Sequence, residues 1–423
     1  MRRTLGAPHW QGKRGKRARP AVSSGRERKG TISAMIQRPA IRKRAESDLP
    51  GWLVRGERLL IEAVRSVRLL GSVVPRNAPQ ERARILAALE TGQAVSPRWS
   101  YARTDHTLLR KALGRAAQRL AAEPHPIAQL YAARCRELEV EAALASEAGT
   151  AVLGALARAR FRSLSPQAAG EATILARKWI AEAHEALAGA DKRDALLASD
   201  STESGSLLLR MREEVSRLKL PFAVVVQPSL SALAATGESH ILIASNRMTS
   251  REDVERTVMH EIEAHAIPRT RAATAPIAIF QIGTARGVDD QEGLAIVLEE
   301  RGNYLSPRRK RELAARHLAV EAMDGGATFA DALSALVKEH GMPAPEAVLV
   351  AERAFRGGDG IMAGLGRERI YLEAFLRVGE HLRRKPTDEG ILTSGQVSLD
   401  AIGVLGPLVR KGRQTEPPPG AGV

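Results

Sequence analysis

Ten histidines are spread along the chain, and only His260 and His265, in HEIEAH, stand within six positions of each other. Glu261 follows the first directly. Two neutral imidazoles are good zinc ligands, and a carboxylate beside one of them is placed to carry protons. The commoner zinc-peptidase spacing, H-E-x-x-H, rotates the two rings by only about 40° around a helix. Here the separation is five positions, which a regular α-helix turns into about 140°. That is too wide for one ion at Zn–N distances of about 2.0 to 2.1 Å. A π-turn absorbs the extra residue and restores a common face, so the motif predicts a local π-bulge in its helix. Two histidines need a third protein ligand, with the fourth position left to water. Glu292 in DQEGLAIVLEE, in the first turn of a helix that Asp289 or Asp290 can cap, is one choice. Glu299, seven residues on, shares its face, and Glu300 is adjacent, so spacing does not choose among the three. Glu261, one position past a ligand, could deprotonate an activated water and pass the proton to a leaving amine. The competing reading is a charged helix whose histidines and acids face water.

The flanking sequence must hold such a site in place. PFAVVV (221–226) and HILIAS (240–245) are short β-branched runs that read as strands. Ser250 offers an N-cap with Asp253 at the capping-box position, and a helix runs through REDVERTVMHEIEAHAI until Pro268 is expected to stop it. Further helices are predicted near 289–304, 308–322, 328–340, 345–355 and 367–383. Upstream, from about Trp52 to Leu220, apolar residues recur at three and four spacing, as in WLVRGERLLIEAVRSVRLL, which marks amphipathic helices. The expected organisation is a basic tail (1–47), a helical region (48–220), a metallopeptidase-like core (221–410) and a C-terminal tail (411–423). The fold class is α+β, predominantly helical, with a small sheet packed on a zincin-like metal-binding helix.

The chain of 423 residues carries a formal charge of +16, but residues 1–45 hold fourteen Lys or Arg against the single acid Glu27. The remainder is therefore close to balanced, and no nucleic-acid binding is expected of the folded core. The tail, rich in Gly, Pro and Ser, reads as disordered and suited to acidic partners; Met35 is an alternative start. One cysteine, Cys135, excludes an internal disulfide and a cysteine zinc cage. No apolar run is long enough to span a membrane and no h-region follows Arg2 and Arg3, so a cytoplasmic protein without membrane contact is expected.

At QEGLA (291–295) the chain resembles the QEGLA-motif family, whose bacterial members are named flavohemoglobin expression-modulating QEGLA motif proteins. Its eukaryotic relatives are the microtubule-associated tyrosine carboxypeptidases, zinc enzymes that remove a C-terminal tyrosine from tubulin. SPRWSY (96–101), LYAARCRELEVEAAL (130–144), HILIAS, HEIEAH, AFRGGDG and RERIYL (354–372) carry the likeness, which spans roughly residues 50–405. Where relatives commonly have Asn-Gly and Gln-Pro between the two motifs, this chain has RTRAATAPIA (269–278). The resemblance implies one zinc held by His260, His265 and Glu292, with Glu261 catalytic and a peptide or protein C-terminus as substrate. A carboxypeptidase must also hold the terminal carboxylate, for which Arg356 in FRGG is a candidate, with Tyr371 as a donor to the oxyanion. HILIAS could offer an edge to which an extended peptide adds. Two rival readings are a metal-binding regulator without turnover and a hydrolase of non-peptide amides.

Overall fold

The computed structural model describes residues 49–414 apart from 94, 189–195, 229 and 231. The basic segment 1–47, including Met35, lies outside the described residues, as do 415–423. Residues 411–414, assigned above to the C-terminal tail, instead continue the last helix.

Helices α1 (Gly51–Ser66), α2 (Ala78–Glu90), α3 (Thr107–Ala121), α4 (Pro126–Ser146), α5 (Leu153–Phe161), α6 (Pro166–Leu187) and α7 (Leu207–Arg217) lead into the strands β1 (Ala223–Gln227), β2 (Ala234–Thr236) and β3 (His240–Ala244). Then α8 (Arg251–Met259) passes into a π-helix (His260–Ala266) and on into α9 (Ile267–Ala272). The principal later helices are α10 (Gly287–Arg301), α11 (Pro307–Asp324), α12 (Phe329–Lys338), α13 (Ala344–Phe355), α14 (Ile370–Arg384) and α15 (Ile402–Gln414). The helix starts have local causes. Pro166 and Pro307 occupy first-turn positions behind the caps Ser165 and Ser306, where a missing N–H costs nothing. Ser250 with Asp253, and Thr328 with Asp331, close full capping boxes.

The sheet corrects one expectation. Its order is β1-β3-β2, with β1 parallel and β2 antiparallel to β3. HILIA is therefore the central strand, with backbone groups committed on both sides, and offers no edge to a peptide. Its alternation explains the placement: Ile241 and Ile243 are fully buried and pack with Met211 of α7 and Val254, Val258 and Ile262 of the metal-motif helix. This cluster fixes the π-helix against one face of the sheet.

A second apolar cluster crosses the 220/221 boundary, joining Leu60, Tyr131 and Trp179 to Ile296, Leu372 and Leu405. Charged bonds cross it as well. Buried Arg160 of α5 binds Asp289 at the start of α10 at 2.8 Å and Glu137 of α4 at 3.0 Å. The helix bearing Glu292 is thus anchored on the N-terminal helices.

The glycine of QEGLA has a packing cause. A Cβ on Gly293 would lie 2.5 Å from the backbone carbon and oxygen of Ala374, because α10 and α14 touch there main chain to main chain. Gly293→Ala is expected to cost about 1–3 kcal/mol through overpacking, read as a lowered urea midpoint at unchanged m-value.

Candidate metal centre

The predicted π-turn is present. Residues 260–266 form a π-helix, closed by the Ile267 N–H on the Ile262 carbonyl, five residues back. The wider turn brings both rings of HEIEAH to one side, with Nε2 of His265 3.3 Å from Nε2 of His260. Pro268 does not end the helix as expected. It sits in the first turn of α9, where its lacking N–H is least costly, and the helix runs on to Ala272.

Glu292 comes to the same point from α10, its Oε2 3.8 Å from His260 Nε2. One ligand atom from each of His260, His265 and Glu292 lies within 4.8 Å of the others. Atoms about 2.05 Å from a shared tetrahedral ion stand about 3.3 Å apart, so the two nitrogens already have the spacing such an ion requires. Two imidazoles and one carboxylate also match the donor chemistry of catalytic zinc.

Around these three groups stands a shell of charge. Glu299, fully buried, takes His260 Nδ1 at 2.8 Å and the Nε and Nη2 of Arg309 at 2.8 and 2.9 Å. Of the three glutamates left open by spacing, Glu299 thus holds the back of a histidine while Glu292 faces its front. Burial alone would raise the Glu299 carboxyl, but Arg309, then His260 and Arg256, hold it well below the usual carboxylate range. For His260, burial opposes the charged ring and Glu299 outweighs it, so its basicity is raised. The same bond keeps a proton on Nδ1 and frees Nε2 as a donor atom. Burial pushes His265 the other way, toward the neutral ring.

On the far side, Arg367 donates from Nη2 to Glu292 Oε1 at 3.2 Å and from Nη1 to the Tyr371 hydroxyl at 3.0 Å. Glu292 is half-buried against that charge, and Arg367, ahead of the two histidines, lowers its pKa despite desolvation. Tyr371, 5% exposed, is also approached by Arg353 Nη2 at 3.4 Å. With arginines on its oxygen lone pairs, the hydroxyl proton is left to point elsewhere. Arg356 lies one step further out, its Nη2 on Glu368 Oε1 at 2.9 Å, and burial pushes its guanidinium down to about 10.

Glu261, 6% exposed, is outside the three-ligand set and accepts a hydrogen bond from Thr236 Oγ1 at 2.7 Å. Thr236 belongs to β2, which pairs only with β3 among the described residues. The open strand beside the site is therefore β2, whose small residues gave no strand signal. Sequence reasoning also missed Arg309 and Arg367, because arginines in helical patterns read as solvent-facing. Cys135 is fully buried in the large apolar cluster, and burial pushes its thiol up to about 12, which leaves no nucleophile at neutral pH.

Residues 89–419 match the microtubule-associated tyrosine carboxypeptidase family, a span that takes in the π-helix, Glu292 and Tyr371. The chain belongs to that family. Comparison with curated proteins gives no match. In this tyrosine carboxypeptidase family member, the segments that carry the likeness have visible structural roles. Tyr101 of SPRWSY donates to the Gly358 carbonyl at 2.7 Å and accepts from the Gly357 N–H at 3.0 Å, clamping the FRGG turn. Glu368 of RERIYL, fully buried, gathers Arg353 and Arg356 at 3.0 and 2.9 Å. Among the described residues no helix is long and apolar enough to cross a membrane.

Proposed function

We propose that this family member is a zinc-dependent carboxypeptidase that removes the last residue, tyrosine by the family's name, from a peptide or protein C-terminus. The observation that carries the reading is the convergence of His260, His265 and Glu292 within 4.8 Å, with Glu261 beside the set and outside it. Bound there, zinc would polarise the scissile carbonyl and make a water nucleophilic near neutral pH. Glu261 then takes one proton from the attacking water as its oxygen bonds to the carbonyl carbon. It delivers that proton to the amine as the C–N bond breaks. Thr236 orients the Glu261 carboxylate through the 2.7 Å bond, and Glu299 and Arg367 keep His260 and Glu292 in place. Tyr371 supplies a hydroxyl donor toward the oxygen that gains charge. An extended substrate is well served by adding to the free edge of β2, which runs against the π-helix.

The test is metal analysis of the purified chain together with mass spectrometry of peptides incubated with it. About one zinc per chain is expected in the wild type and on the order of 100-fold weaker retention in His265→Ala, since a first ligand is worth more than the outer partners of such sites. Peptides should lose single residues from their C-termini. Full zinc retention by His265→Ala, or cleavage only at internal bonds, would sink the reading.

A further inference from the structure

The arginines whose charge bears on the site are not equivalent. Arg309 and Arg367 are held by Glu299 and Glu292, and Arg256 lies 3.4 Å from Asp253. Arg269 differs. No hydrogen bond or ion pair to its side chain occurs among the described residues, and its Nε is buried without a partner. It stands in α9 four positions after His265, one helical turn further and about 40° round. Its charge acts on His265, and it in turn feels Glu261 and, more strongly, Glu238 at the turn between β2 and β3. Burial dominates over both acids and lowers the basicity of the guanidinium. The residue as a whole is half-buried, so the buried and unused Nε is its costly group, and an anion would complete it.

We infer that Arg269 binds the terminal carboxylate of the peptide substrate, and so makes the site an exopeptidase. This rests on the carboxypeptidase reading above. The carboxylate carbon of a last residue lies within about 4 Å of the carbonyl carbon that is attacked, since only N and Cα intervene. The receiving fork must therefore stand close to the metal ligands, next to the proton carrier. Arg269 meets this requirement from one turn beyond His265, where its charge acts on His265 and it feels Glu261. Its planar donor fork matches a carboxylate and is not already engaged by one. Arg356, the residue suggested by the FRGG sequence, also has a buried Nε without a partner, but its Nη2 is already committed to Glu368.

The experiment uses the full, zinc-loaded chain in a Glu261→Gln background, which prevents turnover. A fluorescent peptide ending in tyrosine is titrated as free acid and as amide. The free acid is expected to bind on the order of 30-fold more tightly, the range of a charge-assisted pair. Adding Arg269→Ala should abolish that preference while leaving amide binding unchanged, and Arg269→Lys should restore part of it. In the Glu261-intact protein, Arg269→Ala should raise KM for peptides with zinc content unaltered. A preference that survives Arg269→Ala and disappears in Arg356→Ala overturns the assignment. Peptide trimming with unchanged KM in Arg269→Ala overturns it too, and leaves the carboxypeptidase reading standing. If zinc-loaded wild type neither binds nor trims any peptide, that reading fails and the assignment with it.

Discussion

Glu261→Gln is expected to lower kcat for peptide hydrolysis by about 10³-fold, within the usual contribution of a positioned acid–base group. The corresponding rise in barrier is about 4 kcal/mol. The amide is isosteric with the carboxylate, so Thr236 Oγ1, now 2.7 Å from Oε2, keeps an acceptor in the same place. None of the three converging ligand atoms belongs to Glu261, so zinc content should equal that of the wild type. Folding stability should change by less than about 1 kcal/mol, since shape and the main hydrogen bond survive. This combination separates proton transfer from metal binding and from structure. Single-turnover rates with metal analysis and urea unfolding on the same preparation check it. Retention of more than a tenth of the wild-type rate would mean that another group moves the proton. Loss of zinc would mean that Glu261 is a ligand.

What was readable in the sequence follows from which forces act locally. The π-turn was legible because ring geometry forbids a five-residue spacing on a regular helix. The capping box at Ser250 and Asp253 and the starts of α11 to α13 were legible because caps and prolines act within one turn. Strand order was not, since Ile241 and Ile243 alternate in the same way at an edge or in the centre. β2 was missed because Ala234, Ala235 and Thr236 owe their strand state to pairing with β3 rather than to propensity. The largest gap concerns charge. Asp289, Asp290 and Glu299 on α10 are all buried, although acids spaced along a helix normally face water. Their partners come from Arg160, Arg377 and Arg309, far apart in sequence, and only the fold brings those cations in. The choice between Glu292 and Glu299 depended on the same information. One helical face carries both, and the residues opposite each of them give the two glutamates different tasks.

That division of labour makes Glu299→Ala the most damaging change expected at a residue that is not itself a metal ligand. The side chain is fully buried and meets Arg309 twice, at 2.8 and 2.9 Å, and His260 Nδ1 at 2.8 Å. Truncation leaves Arg309 buried with only Glu312 to answer it, at 2.9 Å, and opens a void behind the imidazole. Breaking a buried pair from one side costs about 3–5 kcal/mol, a large share of what a typical domain possesses. His260 also loses the acceptor that fixes its tautomer, so zinc affinity should drop about 10–100-fold. Glu299→Gln keeps the volume and one acceptor and should lose less in both respects. Chelator competition and urea unfolding measure the two effects, and each has a distinct failing result. Complete loss of zinc in folded Glu299→Gln would make Glu299 a ligand, and unchanged affinity in Glu299→Ala would remove it from the site. The pH dependence carries a further sign. Because Arg309 and His260 hold the folded carboxyl well below its unfolded value, its stabilisation is complete above about pH 4.5 and is lost as pH falls toward the folded value. The part of the stability gap between wild type and Glu299→Ala that comes from this carboxyl should therefore narrow only below about pH 5, whereas the part that comes from the raised basicity of His260 should grow as pH falls through the imidazole range.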